Sequence, residues 1–120
     1  MDIARLVAQF IIAIVILSVW LLRSQTATAY RGGDAKNMKE EFAVYGLPVW
    51  FMYVIGVVKV GLALALILGT WQPAIVQPAA FAMAALMTGA VLMHIKVKDT
   101  LTKTLPSLVM LGLSAFVAMV

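Results

Sequence analysis

The sequence has no cysteine, a single histidine (His94) and only five acidic residues, none of them inside its long apolar runs. Without thiols there are no disulfides, thiolate metal centres, iron–sulfur clusters or thiol redox chemistry from the chain itself. One imidazole builds no zinc site without carboxylate ligands or a second chain, and axial haem ligation in a bundle calls for two facing histidines. No metal and no cofactor of its own is expected. A glycine-rich phosphate loop is also missing, and Gly32-Gly33 reads only as a turn. Charged residues make up 12% of the chain, against about 25% in soluble domains.

Apolar residues take their place, at 64% hydrophobic with a mean hydropathy of +1.05. Such a chain is neither a soluble globule nor disordered, and 120 residues leave room for one domain. Four apolar runs stand out, at residues 6–22, 47–69, 74–95 and 105–120. A spanning helix needs roughly 20 residues, which the second and third runs supply, while the first and fourth are short. The reading is all-α: an integral membrane four-helix bundle, one transmembrane domain over 1–120, with a polar first loop.

The loops add detail. Thr70-Trp71-Gln72-Pro73 makes a tight helical hairpin with Trp71 as an interfacial anchor. In the first loop, Asp34 is placed to cap a short helix over 35–42, whose apolar side, Met38 and Phe42, would lie flat on the membrane surface. The first loop carries Arg23, Arg31, Lys36 and Lys39, the third Lys96, Lys98 and Lys103, and the N-terminal segment only Arg5. That imbalance reads as topology rather than nucleic-acid binding. It places loops 23–46 and 96–104 in the cytoplasm and both termini opposite, in a membrane of the bacterial inner type. Ala27-Thr28-Ala29 imitates a leader cleavage site, but Asp2 beside Arg5 and the position of Arg23 favour a span for the first run.

Lys59 is the most informative residue. It lies ten to twelve residues from either end of the second run, too deep for its stem to reach both the helix and water. A charged lysine there costs about 2.5–3.5 kcal/mol on insertion scales. Four resolutions are open. The amine is uncharged; it bonds carbonyls or hydroxyls such as Ser18, Thr88 or Ser114; it faces a wet pocket holding an anionic or carbonyl ligand; or it meets a carboxylate on a partner chain. His94, at the end of the third run, reads as an interfacial residue with one wet face, or as a group polarising a ligand head. Gly61, Ala65 and Gly69 on the second run, with Ala80, Ala84 and Gly89 on the third, form small-residue seams for close helix packing. The eight methionines read as gap fillers, and Trp50, Phe51 and Tyr53 as an aromatic belt.

Residues 42–64 carry Gly46-Leu47-Pro48 after a polar loop, then place Gly56, Lys59 and Gly61 in a span; His94 follows near the end of the third span and Pro106 opens the fourth. Over roughly 42 to 111 this pattern resembles the DoxX-like family of small membrane proteins. The resemblance implies a four-helix bundle with a polar first loop. It adds Gly56 to Lys59 and His94 as candidate ligand- or partner-binding positions. Many relatives carry Glu where Lys59 stands, so carboxylate chemistry at that site does not transfer. Some relatives are associated with quinone-linked sulfur oxidation or oxidative-stress membrane complexes, and eukaryotic ones act as assembly factors. Small size and a sparse chemical inventory point to an accessory or assembly subunit, not an enzyme, with membrane lipids and other membrane subunits or a second copy as partners. The alternative is a membrane-embedded site for a quinone- or lipid-like molecule in a redox pathway. A transporter is a weaker third reading, since four helices without repeats would have to dimerise.

Overall fold

The computed structural model describes residues 3–22, 33 and 35–119. Asp34, Arg23, Arg31 and Ala27-Thr28-Ala29, all used in the sequence reading, lie outside the described residues. Helix α1 (Ile3–Leu17) continues into a π-helical turn (Ser18–Leu22). Short α2 (Met38–Val44), then α3 (Val49–Leu68), α4 (Val76–Lys96) behind a 3-10 turn (Pro73–Ile75), and α5 (Leu101–Met119) complete the order. Among the described residues there is no strand. The long helices run up and down in a closed ring in which α1 meets α3 and α5, and α4 meets α3 and α5. The long dimension is 42 Å, close to the roughly 40–45 Å of a bilayer with its headgroups.

Four helical segments are long and apolar enough to cross a membrane: Ile3–Leu22, Val49–Leu68, Pro73–Lys96 and Leu101–Met119. Only about a quarter of each span is buried inside the bundle, and Val57, Phe81 and Leu68 stand open on its outside. Apolar all round, such helices place their outer faces in lipid tails, and the chain is an integral membrane protein. The close-packed core sits toward the end of the bundle that holds the described N- and C-terminal residues. There Ile12, Ala13, Leu66, Ala80, Met83 and Val117 are fully or almost fully buried. Two polar bonds tie helices across it: Gln9 Nε2 donates to Leu66 O (3.0 Å), and Gln77 Nε2 donates to Ala118 O (2.8 Å). At the hairpin, Gly69 abuts the Val76 side chain closely enough that no Cβ fits.

The opposite end differs from expectation in three places. Helix α2 is capped by Asn37 rather than initiated at residue 34. Asn37 Oδ1 accepts from Glu40 N (2.8 Å), and Glu40 Oε1 accepts from Lys36 N (3.1 Å), a reciprocal capping arrangement. Its apolar side does not lie flat on the membrane. Met38 and Phe42 are buried with Met52 against Trp20 and Phe51, because aromatic surface from α1 and α3 is there to receive them. So α2 plugs one end of the bundle. Finally, α5 begins at Leu101, four residues before the apolar run, and holds Pro106 inside it. The carbonyl that Pro106 leaves without a helical donor belongs to Thr102, an exposed residue near the helix start, where the loss is tolerable.

Two turns at this end set the site. Leu47 N bonds Phe42 O (2.9 Å) and Gly46 N bonds Ala43 O (3.0 Å), a Schellman closure in which Gly46 takes φ 78. Pro48 then opens α3 in extended conformation. This gives the Gly46-Leu47-Pro48 element its role: glycine ends one helix and proline starts the next. After α4, Asp99 N bonds His94 O (2.9 Å) and Lys98 N bonds Ile95 O (3.0 Å), the same closure with Lys98 at φ 59.

Candidate functional site

A cavity of about 410 Å³ lies beneath α2, between all four long helices. Its walls are mostly apolar: Val15, Ile16 and Val19 from α1 and its π turn, Phe51 and Ile55 from α3, Leu86, Ala90 and Met93 from α4, and Met110 from α5. Trp20, Phe42, Phe51 and Tyr45 form its aromatic end, with Phe42 6.2–6.5 Å from each of the other three ring centroids. Into this apolar space come Glu41 and Tyr45 from the α2 segment, Lys59 from α3, His94 from α4, and Lys103 and Ser107 from α5.

Lys59 is half-buried, and its Nζ sits 5.7 Å from the centroid of the Trp20 ring, within cation–π range. The Glu41 carboxylate lines the same cavity. No carboxylate lies within the apolar runs, and the fold brings one into the cavity from the short loop helix. Of the hydroxyls considered for Lys59, Thr88 Oγ1 bonds its own helix at Ala84 O (2.9 Å), and Ser114 is fully buried in the core.

His94 is not a residue with one wet face: it is 4% exposed. Its Nδ1 lies 2.7 Å from Asp99 Oδ2, and its Nε2 lies 3.4 Å from the Tyr45 hydroxyl. The Schellman turn after α4 brings Asp99, five residues on, back over His94. Burial alone would push the Asp99 carboxyl up. The Gly33 N–H on Oδ1 (3.0 Å), the His94 contact and the charges of His94 and Lys103 outweigh burial and hold it below the usual carboxylate range. Lys103 donates to Gly33 O, and Lys96 donates to Tyr45 O (2.9 Å). The α2 end is thus fastened to the α4–α5 turn from both sides of the first loop.

The remaining sequence candidates fall in different settings. Gly56 is buried on α3, and a Cβ there would sit 2.7 Å from the Trp20 ring, so its bareness seats the indole. Gly61 faces an outer groove of about 490 Å³ that also borders Trp20, and a Cβ there meets no atom within 4 Å. Ala65, Gly69 and Ala80 lie in or beside the core and Ala84 is half-buried on α4, whereas Gly89 lines the cavity with open space beside it. Met83, Met87 and Met110 fill the interior as expected, while Trp50 and Tyr53 stand exposed around the α3 start. Sequence reasoning missed Glu41, Tyr45, Asp99 and Trp20. The spacing of Glu41 and Tyr45, four apart on one face of α2, was the available signal. Among the described residues no cluster of His, Asp and Glu could hold a metal ion.

No curated protein and no solved structure matches the chain. A family model does match, that of the DoxX-like family, over residues 11–117. The match takes in the second and third spans whole, parts of the first and fourth, the Gly46-Leu47-Pro48 connection and the whole lining of the cavity, and the chain belongs to the DoxX-like family.

Proposed function

We propose that the protein is a membrane-embedded binding protein for a small quinone- or lipid-like amphiphile, held head-first beneath α2. One observation carries this reading: the bundle is close-packed at one end and hollow beneath α2 at the other, and polar side chains converge on the hollow. A volume of about 410 Å³ with a mostly apolar lining and a few convergent polar groups is the usual form of a ligand site. Lys59 supports it. Burying an ammonium near mid-span costs about 2.5–3.5 kcal/mol, which Glu41 and the Trp20 face only partly offset, and a polar head group would use that charge. The test is native mass spectrometry of the protein released gently from its membrane. One small molecule per chain, lost in Lys59→Met, is the expected result. A bare chain, or a chain carrying only other subunits, contradicts it.

A second reading, an accessory or assembly subunit of a larger complex, draws on the outer groove. Gly61 stands open there between Val57 and Leu64 and leaves room for a neighbouring helix to approach closely. The same experiment separates the two, since stoichiometric other chains would appear in the spectrum. In both readings the α2 end faces the cytoplasm of a bacterial inner membrane, because the sequence segments 23–46 and 96–104 hold seven of the eight Lys and Arg residues outside the apolar runs.

A further inference from the structure

The α3–α4 hairpin is tight at its turn, where Gly69 abuts the Val76 side chain. Toward α2 its two arms become walls of the cavity. Helix α3 presents Phe51, Ile55 and Lys59 to the cavity at four-residue spacing, and α4 presents Ala85 and Gly89 at the same spacing. Gly56, which seats the Trp20 indole of α1, lies about 100° round the helix from Ile55. Phe51 and Ile55 are therefore on the side of α3 away from α1, where α4 is its neighbour. Yet α3 does not reach α4 at this level. A Cβ at Gly89 would meet no atom within 4 Å, and Ala85 is exposed although it lines the cavity. Small residues in a span commonly let two helices close on each other; these two border a gap instead, on a surface that lipid tails cover.

We propose that the gap between α3 and α4 is a side opening, through which the cavity takes the head of a long-chain amphiphile from the membrane and leaves its tail in the lipid. The inference rests on the cavity being a ligand site. Volume requires an exit for the tail. About 410 Å³ is at the small end of ligand sites, which run from about 300 to 1,000 Å³, so a head group and a short stretch of chain fill it. Below the cavity lies the close-packed core of Ile12, Leu66 and Met83, and above it α2 holds Met38 and Phe42 buried. The gap beside Gly89 leads instead into the bilayer, where an apolar tail meets no water. The ligand class is thus a membrane-dissolved molecule with a long apolar tail, and neither its length nor its end is read by the protein.

Binding of 4-hexadecylphenol and of 4-propylphenol to the full chain in nanodiscs tests this, each referred to uptake by empty nanodiscs. The short probe stays inside the cavity, whereas the long one has to send its tail out. Ala85→Phe, at an exposed position, sets a ring in the gap. It should weaken the long probe about tenfold and change the short one by about twofold or less. Retained binding of the short probe also shows that the variant is folded. Gly61→Leu, in the outer groove beside Trp20, should leave both probes unchanged. Undiminished binding of the long probe in Ala85→Phe overturns the side opening. So does equal loss of both probes in that variant, which would put position 85 in the head site, and so does loss of the long probe in Gly61→Leu, which would send the tail along the outer groove. Each of these leaves the cavity reading standing. If neither probe binds the wild type, the cavity reading itself falls.

Discussion

Lys98 holds the left-handed backbone at φ 59 that closes α4, a conformation that costs a non-glycine residue about 1 kcal/mol. Its side chain is exposed, so Lys98→Gly should raise thermal stability by up to about 1 kcal/mol, the relieved strain less the entropy that glycine adds to the unfolded chain, read from the melting temperature in detergent. The turn is also why Asp99 escaped notice. A glycine at position 98 would have announced a helix end that folds back on itself, and lysine hides it. Asp99 makes stability depend on pH with a definite sign. Its folded carboxyl lies below the usual range, so its contribution is complete above the ordinary aspartate value near pH 4. It is lost as pH falls through the folded value. Melting curves taken downward from pH 7 should show a loss at the acid end that is smaller in Asp99→Asn. At Gly56 the constraint is steric. Gly56→Ala sets a methyl 2.7 Å from the Trp20 ring, and overpacking of this kind should destabilise by about 1–3 kcal/mol. A gain in melting temperature for that variant would show that the indole has other room.

At the scale of elements, the four spanning helices were legible because length and apolarity alone decide them. The small helix α2 was legible in existence, but its start and its surroundings were not. Met38 and Phe42 were correctly placed on its apolar side, yet sequence could not say whether lipid or protein would meet that side. Trp20 and Phe51 meet it, and they are distant in the chain. The cap was missed because Asp34 looked sufficient, although Asn37 with Glu40 three residues on is the stronger signal. Asn37→Ala should cost about 1 kcal/mol and should raise amide exchange over 38–44 more than over the spans. Equal exchange throughout would mean that packing of Met38 and Phe42 alone holds α2. The π-helical turn at Ser18–Leu22 had no signature in sequence, and it carries Trp20, whose indole seats on Gly56.

The whole molecule is a bundle closed by packing at one end and by a plug at the other. Lipid covers its outside, so the sequence offered no amphipathic stripe to mark the inside, and the cavity could not be foreseen. Lys59 was visible as an anomaly at once, but Glu41, which lines the same cavity, sits on α2 in the first connection and came to share that space only through the fold. Removing either should therefore disturb the other, and a double-mutant cycle of Lys59→Met and Glu41→Gln should show coupling of about 0.5–3 kcal/mol, where additivity would mean that the two do not interact. The central claim is that the cavity takes a ligand head first. It is tested most directly by fluorescence of Trp20 in a chain carrying Trp50→Phe and Trp71→Phe, titrated with 2-bromo-4-decylphenol. The bromine should quench Trp20 saturably, and Gly89→Leu, which fills open space in the cavity wall, should abolish the quenching without unfolding the bundle. Quenching that never saturates, or that survives Gly89→Leu, would place the probe in bulk lipid or the outer groove and contradict the claim.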